Sequence, residues 1–507
     1  MPLLVAELLG REESMCLDKL CCYGLAGAVV LLVAGITSPA THLVVRNEIT
    51  RRVVLENGSM LYGIWQNPTE SIPVYLQFYP FDVMNPDEVT AGGKPYVVER
   101  GPYTYREYRE KYDIKFNDNG TVSYRENVFY KFDSEMSNGE ETDCITTVNM
   151  VLLAFANAMK FSPPVLRQAA SIILSLTKES VFHTISIRDL VWGYDDPLLV
   201  LGNSMFPSFF YTSKVGILAG KNNTDYGEMT VFTGVDDLKK LGIIDKFNGT
   251  KHLPFWTTPY ANMINGSDGS IIPPFLSKSD RLYVFSPDIC RSVYGVYHDT
   301  ITHGDVPVHE FVAADAVLVS PDINPDNIGF CTPQDKCFKS GVLNITQCKT
   351  VDNFHIPLQL SLPHFLKADP EYRNSVSNLH PDERQHTTQT LVEPNSGILF
   401  HVAKRMQMNI LLQNYSDVEY LHDVPSLVFP ILWMNETASI DEKHAQMILH
   451  QLIIPLKIVE IFQICLVAIG IIMLLTAVGF AVWKKSKSGS TAQLFTIESI
   501  SYLIKLK

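Results

Sequence analysis

From Ile461 to Trp483 the sequence reads IFQICLVAIGIIMLLTAVGFAVW, without one charged residue, and it stops at Lys484, Lys485 and Lys487. A helix needs about 20 apolar residues to cross a bilayer, so this run is long enough. A buried core helix could share that composition, but the abrupt lysine cluster has the form of a stop-transfer flank. A second run of the same kind lies near the other end. From Leu20 to Val45 there is no Asp, Glu, Lys or Arg, and Leu25–Ile36 is almost wholly Ala, Val, Leu, Gly and Ile. A cleaved signal peptide is the competing reading. The length of the run and the lack of a small-x-small site before a polar start speak against it. Two transmembrane helices, 20–45 and 458–483, therefore frame an extracytoplasmic segment, 46–457, with short cytoplasmic tails at 1–19 and 484–507.

Three signals orient this arrangement. The last tail carries Lys484, Lys485, Lys487, Lys505 and Lys507 against Glu498, which favours the cytoplasm. Around the first run the rule is silent, with Arg11 and Lys19 on one side and Arg46, Arg51 and Arg52 on the other. Glycosylation sequons decide it. Asn57, Asn119, Asn222, Asn248, Asn265, Asn344, Asn414 and Asn435 each head an N-x-S/T triplet without proline, and all lie between the two runs. Both termini are then cytoplasmic.

Cysteine usage agrees with an oxidising compartment. Cys290, Cys331, Cys337 and Cys348 cluster without a C-x-x-C pair, which favours two disulfides over zinc. Spacing alone leaves three connectivities open. Cys144 is left over as a free, buried thiol. Cys16, Cys21 and Cys22 sit at the edge of the first helix, where palmitoylation is common, although apolar filler would look the same. The net charge of −13 argues against bulk binding of nucleic acid.

Between the anchors, 46% hydrophobic composition over the whole chain allows a substantial core. Stretches rich in aromatic and β-branched residues, Pro73–Phe81, Val97–Tyr108 and Thr121–Phe132, alternate with N-G and G-P turn signals and read as antiparallel strands. The texture then changes. Val148–Lys160 and Pro164–Leu176 read as a helical hairpin. Glu228–Leu362 returns to short strands and turns. Ile398–Gln413 and Ser426–Met434 read as strands, and Asp441–Leu452 as a helix leading into the second anchor. No repeat and no Pro/Gly/Ser-rich linker divides the segment, so one large α+β domain is expected.

A series of short motifs runs through that domain. Phe81-Asp82-Val83-Met84-Asn85-Pro86 and Arg100-Gly101-Pro102-Tyr103-Thr104-Tyr105-Arg106 come first. Trp192-Gly193-Tyr194, Val231-Phe232-Thr233-Gly234 and Asn262-Met263-Ile264-Asn265-Gly266 follow. Then come Ile289-Cys290-Arg291-Ser292, Gly341-Val342-Leu343-Asn344, Leu362-Pro363-His364-Phe365, Ala403-Lys404-Arg405 and Pro430-Ile431-Leu432-Trp433. In this order, with an anchor at each end, the chain resembles the class B scavenger receptor family. The resemblance implies a large antiparallel β-barrel-like ectodomain, an apical helical bundle and an internal lipid tunnel. It pairs Cys290 with Cys348 and Cys331 with Cys337. A third bridge of some members is not expected, because Ala261 occupies the place of one of its halves.

The sequence holds no G-x-S-x-G elbow, P-loop or H-E-x-x-H, and His309-Glu310 lacks the second histidine. His380 and His386 read as a polar loop rather than a metal pair. No enzymatic activity, cofactor or metal is expected. A lipid carrier needs instead an apolar conduit with a polar mouth. The resemblance points to Lys178 as the lysine that meets a ligand carboxylate, with Lys160 as the weaker candidate. An ammonium at either place would also suit a solvated helix end. The ligands this implies are fatty acids, cholesterol or cholesteryl ester, lipoproteins and anionic particles, with self-association of copies allowed. The expected role is a multiligand receptor that moves lipid to the membrane, with a lysosomal sorting receptor, or an adhesion or pattern-recognition receptor without lipid transfer, as the alternatives. The expected location is the plasma membrane, with the lysosomal membrane as the alternative. Against the latter, the Leu503-Ile504 pair stands one residue too far from Glu498 for an acidic dileucine signal.

Overall fold

The computed structural model describes residues 2–504 apart from 69–71, 161–162, 164–166, 168–171, 175–176, 178, 206, 208–211, 335, 352–353 and 416–420. The chain divides into two units, Met1–Thr50 with Gln446–Lys507, and Arg51–Ala445. Three helices matter below: α1 (Pro2–Val53), α2 (Met150–Met159) and α3 (Ile454–Ile504).

The first unit rests on α1 and α3. Two stretches, Cys22–Val53 and Glu442–Trp483, are long and apolar enough to cross a membrane. The helices meet through small residues. A Cβ on Gly27 would lie 2.9 Å from Met473 Cβ, and one on Gly470 would lie 2.6 Å from Leu31 Cγ. Such close backbone approach is the usual way helices associate where no hydrophobic force drives them together. Gln463 Nε2 adds a polar tie, donating to Ala34 O at 3.0 Å. The Cys22 thiol is exposed, whereas the side chains of Cys16 and Cys21 lie outside the described residues.

The second unit is organised by one antiparallel sheet. Its main path uses β1 (Val74–Val83), β2 (Tyr103–Asn117), β3 (Thr121–Phe132), β4 (Met229–Phe232), β5 (Ile244–Phe247) and β6 (Arg281–Ser286). It continues with β7 (Arg291–His303), β8 (Val306–Ala313), β9 (Gln389–Val392), β10 (Leu399–Leu412) and β11 (Leu427–Ser439). The spatial order is β5-β4-β3-β2-β1-β11-β10-β9-β8-β7-β6, so two up-and-down series run outward from the β1–β11 pair. Six consecutive positions of β11 are buried, because both faces of the central strands are covered. The β2–β3 hairpin turns through Asp118-Asn119-Gly120, with Gly120 at φ +70 as such loops require.

Strands alone do not close this sheet into a barrel. The segment between β5 and β6 carries Pro254, Pro259, Pro273 and Pro274, which cannot donate ladder hydrogen bonds. One extended step of chain lies between the two ends instead. Ile244 N donates to Gly266 O at 2.9 Å on the β5 side. On the β6 side Ser267 N donates to Tyr283 O at 3.2 Å and Phe285 N to Ser267 O at 2.9 Å. Gly266 stands at φ +86, and a Cβ there would fall 1.9 Å from Tyr283 O. The motif Asn262–Gly266 thus ends on the residue that lets the chain pass.

Other motif residues hold elements together. Arg100 donates to Asp82 Oδ2 through Nε (3.1 Å) and Nη2 (3.0 Å), while Asp82 Oδ1 accepts from Thr146 N at 3.0 Å. Asn149 caps α2, its Oδ1 accepting from Leu152 N at 3.0 Å. Most of the expected helix Pro164–Leu176 lies outside the described residues, and the expected Asp441–Leu452 helix runs on through a π turn into α3.

Disulfides join Cys290 to Cys348 and Cys331 to Cys337. Cys144, expected to be buried, is an exposed thiol at the start of a short edge strand. Of the sequon asparagines, Asn57, Asn119, Asn222, Asn248 and Asn414 are exposed, and Asn265 and Asn344 are half-buried. Asn435 is buried within β11, where its Nδ2 donates to Gln77 Oε1 at 2.9 Å.

Candidate functional site

The covered face of the central strands carries charge where a core would carry hydrocarbon. Residues opposite one another in antiparallel strands point to the same side. By register, Leu76 faces Glu436 and Tyr105, and Glu436 faces Lys404. From β2 the same face receives Glu107, Arg109 and Lys111, and from β3 it receives Glu126 opposite Lys111.

These groups form a ladder of alternating sign. Lys111 pairs with Glu126, and Arg109 Nη1 lies 3.7 Å from Glu126. Arg109 also reaches Glu107 at 2.6 Å and, across β1, Glu436 at 2.6 Å. Glu436 holds Lys404 at 2.9 Å, and Lys404 lies 3.4 Å from Asp288, which is 3.9 Å from Lys221. Lys349 donates to Pro287 O at 3.5 Å beside this end.

The electrostatics follow from enclosure and partners. Burial pushes the Glu107 carboxyl up, and Arg109 opposes it. Burial also pushes Glu436 up, but Lys404 and Arg109 outweigh it and hold the group below the usual carboxylate range. Asp288 is held far down by Lys404, Lys221 and Lys349 against its own desolvation. Burial, aided by Lys221, brings the Lys349 ammonium down to about 8.

Next to the ladder the same face turns soft and apolar. Met406 faces Met434, which faces Phe78, and Met408 faces Leu432. Met406, Met408 and Met434 keep partial exposure although they sit on central strands. Unbranched thioether side chains adapt to ligands of varied shape. Charged rungs beside methionines make an amphipathic sheet face, suited to molecules with a polar end and a hydrocarbon body.

The lysines singled out in the sequence fall elsewhere. Lys160 caps the C-terminus of α2, exposed, with Nζ 3.2 Å from Gln413 Oε1 and 5.9 Å from the centre of the Tyr415 ring. Lys178 lies outside the described residues. Its neighbour Glu179 is buried and accepts from Asn149 Nδ2 at 2.6 Å, while Glu179 Oε1 and Asp196 Oδ2 have no partner among the described residues. Burial, then Asp196, push Glu179 up to about 7. A carboxyl raised in the folded state gives stability that is complete at low pH and lost as pH climbs toward its folded value. Glu179→Gln, which mimics the protonated form, is therefore expected to stabilise the protein by about 1–2 kcal/mol at pH 7.5. Thermal unfolding of the solubilised full chain at pH 7.5 and pH 5 checks this. A gap that fails to shrink at pH 5 contradicts it.

His380 and His386 do not converge on a shared site. His386 Nδ1 accepts from Asp382 N at 2.9 Å and the ring stacks on His364, whereas His380 bonds Asn378. Among the described residues no group of three or more His, Cys, Asp or Glu side chains could hold a metal.

The ladder was missed in the sequence because Glu107, Arg109 and Lys111 alternate along β2, the pattern of a solvated strand face. The legible signal was Glu436, the only charged residue of β11.

Comparison with known proteins fits these features together. A family model described as the CD36 family matches residues 25–481, from within one apolar helix to within the other. Scavenger receptor class B member 1 of Sus scrofa is 32% identical over 477 residues, covering 92% of each chain. Lysosome membrane protein 2 of Homo sapiens is 35% identical over 434 residues, or 84% of this chain and 88% of that protein. With a family match over nearly its whole length and relatives of this similarity, the chain belongs to the CD36 family of class B scavenger receptors.

Proposed function

We propose that this protein is a two-pass membrane receptor that captures lipids or lipid-bearing particles and passes lipid along its ectodomain to the bilayer. The observation that carries the reading is the family match spanning both apolar helices and everything between them. The amphipathic sheet face supports it: the head group meets the charged rungs, and the hydrocarbon lies along Met406, Met408 and Met434. Fatty acids, sterols and lipoprotein lipids are the ligand classes. Both tails are cytoplasmic, and the apical lysines Lys160 and Lys178 contribute to the first encounter with anionic ligands. Cells displaying the full chain are expected to take up labelled fatty acid or cholesteryl ester several-fold faster than cells without it. Equal uptake at matched surface amounts sinks the reading.

A second reading is a lysosomal membrane receptor. The 35% identity to a protein named for the lysosome membrane favours it. Microscopy of the tagged full chain separates the two, since steady staining of lysosomes and not of the surface selects the second.

A further inference from the structure

Away from the ladder, β6 and β7 border a cavity of about 490 Å³, lined by Tyr260, Tyr283, Tyr294, Arg281, Arg291 and Asp326 among others. That volume lies within the range of small-molecule sites. Arg291 is only 5% exposed and forms no ion pair with any described carboxylate. Its Nη1 donates to Val317 O at 3.1 Å, its Nε to Ser292 O at 3.4 Å, and its guanidinium carbon lies 3.5 Å from the centre of the Phe330 ring. The remaining nitrogen, Nη2, has no partner among the described residues.

A buried guanidinium without a counter-charge is costly, and a planar fork with open N–H groups matches a carboxylate or phosphate. A purely structural arginine would need only the Val317 carbonyl and the Phe330 face. It would not need an open cavity at its free end.

The surroundings are prepared for a ligand. The turn before Arg291 is rigid: Cys290 holds φ +53, is disulfide-bonded to Cys348, and its carbonyl accepts from Trp256 Nε1 at 2.6 Å. The Asp315 carboxylate at the rim is engaged by Lys367 at 2.9 Å and does not neutralise Arg291. Arg281 lies over the Tyr294 ring at 5.0 Å, adding a second cation at the mouth. Tyr260 is half exposed, and Tyr283 and Tyr294 pack at 5.2 Å between centroids, so three phenol rings offer flat contact area.

We propose that this cleft is a binding site for a small organic anion, with its carboxylate or phosphoester on Arg291 and an aromatic or short apolar body against Tyr260, Tyr283 and Tyr294. The site stands apart from lipid transfer and does not depend on that reading. The anion could be a soluble metabolite or the head group of a lipid, and the two sources share the chemistry that Arg291 recognises.

The test is calorimetric titration of the full chain in nanodiscs with phenyl phosphate, benzoate and dihexanoyl phosphatidic acid. Asn265 borders the cleft and heads a sequon, so the Asn265→Gln protein is titrated in parallel to remove any sugar at the edge. At least one probe is expected to bind, more tightly at low salt. Binding should weaken tenfold or more in Arg291→Met, less in Arg291→Lys, and several-fold in Tyr260→Ala, whose exposed ring can be removed without disturbing the fold. Preference for phosphatidic acid assigns the site to lipid head groups, and preference for the aromatic anions assigns it to soluble ligands. No binding of any probe by either parent overturns the proposal. So does unchanged affinity in Tyr260→Ala together with Arg291→Lys, a pair that decides the matter if Arg291→Met fails to fold. Failure here leaves lipid uptake untouched, and failure of uptake leaves this binding untouched.

Discussion

Gly266→Ala is expected to keep this protein from folding. The new Cβ would sit 1.9 Å from Tyr283 O and 2.2 Å from its carbonyl carbon. Both are backbone atoms of β6, so no side-chain rotation relieves the clash. The residue also holds φ +86, where a Cβ is strained in any surroundings. Overpacking and left-handed strain together should cost about 3 kcal/mol or more. That is a large part of the stability of a typical domain. A matched control isolates the clash. Gly249 has a similar φ of +76 but nothing within 4 Å of its would-be Cβ, so Gly249→Ala should lose only about 1 kcal/mol from backbone strain. The steady-state amounts of the two full-chain variants and their thermal unfolding after solubilisation, side by side, read the difference. Equal amounts and equal midpoints would show that the step between β5 and β6 does not hold the sheet.

Arg109→Met is expected to be nearly as damaging, for an electrostatic reason. The guanidinium stands between Glu107, Glu436 and Glu126, at 2.6, 2.6 and 3.7 Å. Its removal leaves carboxylates crowded in an enclosed place with Lys404 and Lys111 as the nearest cations. Breaking a buried pair by removing one partner costs about 3–5 kcal/mol, and the partial exposure of Arg109 places this case at the lower end. The sign of the pH dependence is fixed by the same groups. Without Arg109 the folded carboxylates shift upward, so the variant loses stability as pH rises through their folded values and recovers it as pH falls. The deficit against the parent should therefore be larger at pH 8 than at pH 5. Glu436→Gln or Glu107→Gln in the Arg109→Met background should restore part of the loss. Thermal unfolding of the solubilised full chain measures all of these. A deficit independent of pH, with no rescue by either glutamine, would point to lost packing of the arginine stem instead.

The sequence was most legible where one local rule dominates. Apolar length identified the two terminal helices, since nothing else keeps charge out of Ile461–Trp483. Strand texture located β1, β3 and β10 to within a few residues, but it caught only the first part of β2 and stopped five residues short of the end of β11. Sheet order was not legible, because β1 and β11 find each other across the entire domain and no local pattern records that pairing. Barrel-like closure was expected from resemblance, and the prolines between β5 and β6 leave a single extended step there. The burial of Asn435 was not legible either, because it depends on how alternation along β11 turns that side chain into the protein. The ladder was hidden for the converse reason: alternating charge on a strand normally means water, and here it means a covered face.

The pairing of β1 with β11 has a further consequence for how the chain is made. Asn435 bonds Gln77 across 358 residues, so the two strands at the centre of the sheet are the first and the last of its main path to leave the ribosome. Until β11 has been made, β1 can pair only with β2 and its short neighbour, and its other edge stays open. Closing so distant a contact is slow, and the waiting edge is a surface that chaperones can hold. Completion of the fold is thus tied to completion of synthesis. A chain ending before Leu427 carries nearly the whole second unit and still lacks the strand that joins its two halves.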